Sequence, residues 1–318
     1  MLKSVEHHIP VTSPWRYCEH MPPVPAAEGK IIPTDDEVAA MVFAQFPALA
    51  GRDIGRRYTM HDHVTVRIGD DFGVLLPTIP GQDQYYERVA GLLEPLLPQW
   101  TFPYSAPIST GEPDGDFPYH WTLVRWLSGS TAAFVPLHDQ SAEALGDALK
   151  QIHTPAPGLA PTNPVTSVGL PSLRDEWIRL LRTTAASGAP ENRVLDAARA
   201  GEMWEQAAAT PVDAQTWTHG TLEPRAVLSD RGQFSGILIW HRFGVGDPAA
   251  DLGYASNLVS TAQRDGLLES YGPRSAATDA RARGWQLIGA LRLVELGDPF
   301  LVRIAWERLI ELDLVSEA

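Results

Sequence analysis

The stretch from Thr216 to Leu252, TWTHGTLEPRAVLSDRGQFSGILIWHRFGVGDPAADL, constrains this chain more than any other. Short strand-like runs flank the turn triplet Asp230-Arg231-Gly232, and the pattern returns to helix from Asp247 onward. Trp217, His219, Gly220, Pro224, Gly236, Trp240, Gly246, Asp247 and Asp251 stand along it in an ordered frame. No G-x-S-x-G elbow, Walker A sequence or H-E-x-x-H occurs in the chain. Gly244-Val245-Gly246 has the look of a dinucleotide turn, but it lies inside GVGDPAADL and reads better as part of that loop.

The 318 residues suffice for one large two-lobed domain or two small ones, and 44% hydrophobic content supports a sizeable core. Lys plus Arg number 25 and Asp plus Glu 39, a formal charge of −14, which argues against non-specific binding to nucleic acid or an anionic membrane. A single cysteine, Cys18, excludes an internal disulfide and a CxxC metal site. No signal peptide and no 18-residue apolar run are recognisable, so a cytoplasmic protein is expected.

Residues 1–32, with Pro10, Pro14, Pro22, Pro23 and Pro25, read as an extended arm whose Ile9, Trp15 and Tyr17 give it apolar anchors. Val38, Met41, Val42 and Phe46 suit an amphipathic helix over 35–46, and a hairpin turning at Gly69-Asp70-Asp71 follows. A second helix over 85–97 carries Val89, Leu92, Leu93 and Leu96 on one side. Further helices are expected over 142–152, 172–184 and 197–208. The Pro-rich TPAPGLAPTNP after Ile152 reads as a connection within one body. His61 and His63 at i, i+2 have the spacing to reach one metal from one strand face, although lone pairs of this kind are usually structural.

The frame between Trp217 and Leu252 resembles the aminoglycoside and macrolide phosphotransferases, whose core runs W-x-H-G-D-L-H-P-G-N-V-L, then G-V-I-D-W, then G-D-P-A-x-D-L. VTVRIGDDFGVLLP (64–77) is similar to the family's first-lobe hairpin and WTLVRWLSG (121–129) to its hinge strand. LKQIHTPAP (149–157), ARARGWQLIGAL (280–291) and DPFLVRIAWERL (298–309) match its helical lobe in order. The resemblance implies an α+β, two-lobed, protein-kinase-like fold, with a small first lobe over 33–126 and a mostly helical second lobe over 127–318.

The same alignment puts unreactive residues at the reactive positions. Thr221 stands at the catalytic Asp, Ala226 at the metal-binding Asn, Ile239 at the metal-binding Asp and Leu75 at the phosphate-holding cation. The cation's partner Glu falls at Tyr86, or at Glu87 in a register shifted by one, and Tyr58 to His63 replaces a phosphate loop without its glycine. Phosphoryl transfer needs a positioned hydroxyl and Mg²⁺ held by oxygens, which isoleucine and alanine do not supply. An inactive kinase with no cofactor and no metal is therefore expected, and His219 and Asp251 fall where the family braces its loop.

Around these positions stand Glu223, Arg225, His241, Arg242 and Asp247. Thr221, Glu223, His241 and Arg242 are the candidate catalytic residues, and Arg225, Ile239, Asp247 and His219 the candidate ligand contacts. Arg225 and Arg242 are expected to make an electropositive floor for a small anionic or apolar organic molecule; in a plainer reading each arginine pairs with a nearby acid. A small molecule is then the expected partner, with no nucleic acid and no membrane. Either a nucleotide- and metal-independent enzyme or a non-catalytic metabolite binder fits, with residual phosphotransfer through Glu223 and Asp247 the weakest reading.

Overall fold

The computed structural model describes residues 30–60, 62–188 and 193–317, without the side chains of Tyr85, Glu87, Asp139 and Glu317. The proposed arm up to residue 29 lies outside the described residues, as does His61 and with it half of the suggested metal pair.

Helix α1 (Asp35–Gln45) starts where Thr34 and Glu37 close a capping box: the Thr34 Oγ accepts from the Glu37 N–H at 3.3 Å, and the Glu37 carboxylate accepts from the Thr34 N–H at 2.6 Å. Its buried Val38, Met41 and Val42 cover the sheet that follows. That sheet is fully antiparallel, with spatial order β1 (Ile54–Thr59), β2 (His63–Ile68), β3 (Phe72–Pro77), β5 (Trp121–Arg125), β4 (Pro107–Gly111). Strands β2 and β3 are the expected hairpin, turning at residues 69–71 with Gly69 at φ +58°. Helix α2 (Asp83–Leu93) lies between β3 and the edge strand β4, and sends Val89 and Leu93 into the large core.

After β5 the chain becomes mostly helical. Strand β6 (Ser130–Thr131) precedes α3 (Asp139–Ile152), α4 (Arg174–Ser187), β7 (Arg193–Leu195) and α5 (Ala197–Ala209). Strands β8 (Thr216–Thr218), β9 (Val227–Asp230), β10 (Gln233–Ile237) and β11 (Gly244–Gly246) follow. They are succeeded by α6 (Pro248–Ser256), α7 (Thr261–Tyr271), α8 (Ala276–Glu295), α9 (Pro299–Glu311) and β12 (Val315–Glu317), which pairs with β7. Strands β9 and β10 meet through the two-residue loop Arg231-Gly232, both at positive φ, the geometry of a primed hairpin turn. β8 pairs with β11, so the two halves of the Trp217–Leu252 segment are joined by a ladder of their own.

The Pro-rich loop after α3 is tied to this ladder rather than free between bodies. The Val245 N–H donates to Pro161, the Asn163 N–H donates to Val245, and Asn163 Oδ1 accepts from the N–H groups of Val165 and Thr166. One apolar cluster runs from Val89 and Trp100 through the helical region to Leu314, and a second lies between α1 and the sheet. Trp100 stacks on Trp240 at 4.9 Å, which seats the connection after α2 on the β10–β11 loop. Among the described residues no helix is long and apolar enough to cross a membrane.

Candidate functional site

The loop that leaves β8 is held by one carboxylate. Fully buried Asp251, in the first turn of α6, accepts the N–H of His219 at 2.6 Å and that of Gly220 at 2.9 Å, and meets His153 Nε2 at 3.1 Å. Burial alone would raise its pKa, but the hydrogen bond and charge of His153 hold it below the ordinary carboxylate range. His219 meets Leu238 O through Nε2 at 2.8 Å and packs edge-on against Trp240, and burial pushes its pKa down. Gly220, at φ +96°, is required twice over, because a Cβ there would run into the Asn163 side chain.

Asp247 caps the N-terminus of α6 through the Ala249 N–H at 3.0 Å and forms a buried pair with Arg281 at 2.8 Å. His219 and Asp247, both expected as ligand contacts, are thus engaged by their own chain. Arg225 pairs with Asp298 at 2.9 Å, and Asp298 in turn caps α9. Burial raises the Glu223 pKa, and the charges of both arginines of the expected floor act to lower it. Each arginine meets an acid of its own, Arg225 Asp298 and Arg242 a different one.

That acid is Asp62, in the β1–β2 connection. Its Oδ1 accepts from His63 Nδ1 at 2.8 Å, and its Oδ2 lies 3.4 Å from Arg242 Nη2 and 3.5 Å from His241 Nε2. Burial acts to raise its pKa, but His241 and His63 outweigh that and keep it an anion, well below the carboxylate range. Burial pushes His241 down to about 4, so it is neutral at pH 7 and Arg242 is the permanent cation beside Asp62. The His241 ring stacks on Tyr86 at 5.1 Å and 11°, with the His63 ring 5.7 Å away. Burial holds the Tyr86 hydroxyl well above its ordinary pKa.

Leu75 of β3 forms a closed apolar cluster with Tyr86 of α2 and Val124 of β5, each less than a tenth exposed. Ala226 is buried, with both main-chain groups bonded, to Glu223 and Leu238. Ile239 has φ +64°, a left-handed conformation that short polar residues such as Asp and Asn adopt and a β-branched side chain resists. Thr221 is buried, with its N–H 3.5 Å from His219 Nδ1. Glu223 lies against a narrow, mostly apolar cavity shared with Tyr254, Asn257 and Arg292, with room for little more than a water molecule or two. Desolvation raises its pKa. Arg292 pairs with Glu176 at 2.8 Å and donates to the Tyr254 hydroxyl.

Sequence reasoning passed over Asp62, Asn163, Arg281, Arg292 and Asp298. Asp62 alone left a signal, an acid in a loop that resembles a phosphate loop but lacks its glycine.

The sequence profile of the family described as Phosphotransferase enzyme family (APH) matches residues 84–285, well over half of the chain. The chain belongs to this family. Among solved structures it is similar to the apoenzyme of macrolide 2'-phosphotransferase MphH from Brachybacterium faecium, at 19% identity and a TM-score of 0.51, covering 85% of this chain and 97% of that one. It is similar also to a variant of aminoglycoside 2'-phosphotransferase-IIIa in its GDP complex, at 15% identity, TM-score 0.56 and coverage of 88% and 96%. For aminoglycoside phosphotransferase APH(3'')-Id from Streptomyces rimosus the values are 17%, 0.51, 80% and 97%. No curated protein shows significant sequence similarity to the chain. The α+β architecture is therefore the two-lobed, protein-kinase-like fold of this family.

The nucleotide and Mg²⁺ that the family implies do not fit the residues present. Leu75, Ala226 and Ile239, where the resemblance puts those ligands, offer neither a cation for phosphates nor a side-chain oxygen for a metal, and Leu75 is packed against Tyr86 and Val124.

Proposed function

We propose that this member of the phosphotransferase family does not transfer phosphate from ATP, and that its cleft serves a small organic molecule, anionic or apolar, in a reaction that uses neither nucleotide nor metal. The lobes of the proposal are 33–126 and 127–318, and its setting is bacterial metabolism inside the cell. The observation that carries it is the Leu75–Tyr86–Val124 cluster: where the resemblance puts an ion pair, Leu75 is packed on Tyr86 and Val124 and offers a nucleotide phosphate no cation.

Glu223, Tyr254 and Arg292 converge on one cavity with room for a water or two, so Glu223 would exchange a proton with a molecule in the cleft through water rather than touch it. A binder has no need of a desolvated carboxyl, whereas proton transfer does, because a raised pKa brings a carboxyl closer to neutral pH and lets it give and take a proton. Glu223 is the proposed proton-transfer group, Arg292 holds Tyr254 in place, and Thr221, whose carbonyl accepts the Glu223 N–H, supplies a hydroxyl two residues along the chain. Cyclisation, isomerisation and elimination are the reaction classes such a set serves, since each proceeds by moving a proton.

The test is native mass spectrometry of the protein incubated with extract of a producing cell, followed by turnover of the captured molecule. Glu223→Gln is expected to retain the captured molecule and to lower its turnover by about a hundredfold or more. Capture without turnover by either protein would make this a metabolite-binding protein instead.

A further inference from the structure

The Asp62 carboxylate is shared between the lobes, yet the second lobe holds it loosely. Its distances to Arg242 Nη2 and His241 Nε2, 3.4 Å and 3.5 Å, are long beside the roughly 2.7 to 2.9 Å of a charge-assisted bond. The polar groups around it are under-used as well. His63 Nε2, the Tyr86 hydroxyl and both ring nitrogens of His241 are buried without a hydrogen-bond partner. They belong to three rings whose centroids lie within 6.4 Å of one another. A buried polar atom without a partner costs stability, so a fold that collects several in one place carries a standing penalty that a better partner would remove.

One cation, two imidazoles and a phenol with free bonding capacity are the components of an anion site, and among the described residues the anion they meet is the Asp62 side chain, close to His63 at 2.8 Å but at long range from Arg242 and His241. We propose that Arg242, His241, His63 and the Tyr86 hydroxyl bind a small carboxylate or phosphate anion, and that Asp62 is the site's intramolecular occupant, which rotates away when that anion binds. The inference rests on the reading that the cleft takes a small anion rather than a metal nucleotide. Two oxygens of an incoming anion reach both Arg242 and His241, where Asp62 divides its two between the lobes. Asp62 so lowers affinity for weak anions and sets a threshold that only a ligand with further contacts in the cleft passes.

The experiment follows the imidazole signals of the full chain by NMR during separate titrations with acetate and with orthophosphate. A saturable shift of the His63 and His241 rings with either probe is expected, and the stronger probe identifies the headgroup. Asp62→Asn keeps the shape and removes the competing charge, so it is expected to bind that probe about tenfold tighter than the natural chain. Adding Arg242→Ala to Asp62→Asn is expected to abolish the gain. Should Asp62→Asn fail to fold, Arg242→Ala in the natural chain is expected to weaken the probe by a similar factor. Rings that do not move in any of these proteins, or an affinity indifferent to Asp62 and Arg242, would overturn the proposal. Such silence leaves the proposed function standing, whereas binding of ATP with Mg²⁺ would remove that function and leave this result readable.

Discussion

Asp251 and Ile239 lie twelve residues apart in the segment that carries the family resemblance, and they stand in opposite relation to their surroundings. Asp251 accepts two main-chain N–H groups and meets His153, so the backbone from His219 to Gly220 depends on its charge. Ile239 occupies a left-handed backbone position that suits a short polar side chain and strains its own. Asp251 is tied to its surroundings by chemistry, whereas Ile239 meets its own with a backbone that its side chain does not suit. A loop held by buried main-chain hydrogen bonds keeps its geometry whatever side chains it presents, so family membership here shows the fold and leaves the reaction to the site.

The largest expected effect belongs to the frame. Asp251→Ala leaves two buried N–H groups and His153 without their acceptor and is expected to cost about 3 to 5 kcal/mol in urea unfolding. A cost below about 1 kcal/mol would mean that the loop is held by Asn163 and packing instead, and the contrast with Ile239 would collapse.

Acid should act through the buried imidazoles. His241 titrates at about 4 in the folded chain and near 6.5 unfolded, so between those values the unfolded state binds more protons and stability falls as pH falls. The limiting slope for one such group is about 1.4 kcal/mol per pH unit. Asp62, depressed in the folded state, adds its own loss only below the ordinary carboxylate range near 4. His241→Phe is expected to flatten the loss between pH 6.5 and 4, and an unchanged profile would assign it to His219, which is depressed as well.

The two arginines separate the roles that the sequence left open. Arg225→Ala removes a half-buried pair with the cap of α9 and is expected to lower stability by about 1 kcal/mol without touching ligand affinity. An effect of Arg225→Ala on ligand binding would restore the arginine floor in its original form. The smallest effect is a gain: Ile239→Asn, which suits a left-handed backbone, is expected to stabilise by up to about 1 kcal/mol in thermal unfolding. A loss there would mean that packing of the isoleucine outweighs its strain.

The fold was legible because it rests on local signals that survive substitution. The Gly69-Asp70-Asp71 and Asp230-Arg231-Gly232 turns, the spacing of Val38, Met41 and Val42, and the capping Asp247 each state their geometry within a few residues. The candidate site was legible only as single residues that depart from the family's pattern. Leu75, Ala226 and Ile239 could be read as losses one at a time, whereas the partners of Arg225 and Arg242 are Asp298 and Asp62, 73 and 180 residues away along the chain. No periodicity or motif connects residues at such separations. Glu223 was visible as an acid near the loop, but its desolvation comes from packing around a cavity also lined by Tyr254 of α6 and Arg292 of α8, which only the folded chain brings together.

The central claim is that this family member has given up the metal nucleotide, and thermal unfolding with millimolar ATP and Mg²⁺, together and separately, tests it most directly. A nucleotide present at about 1,000 times its dissociation constant would add about 4 kcal/mol of stability, a shift of several degrees. No shift with the pair beyond that of either component alone is predicted, whereas a stabilisation that requires both would contradict the account.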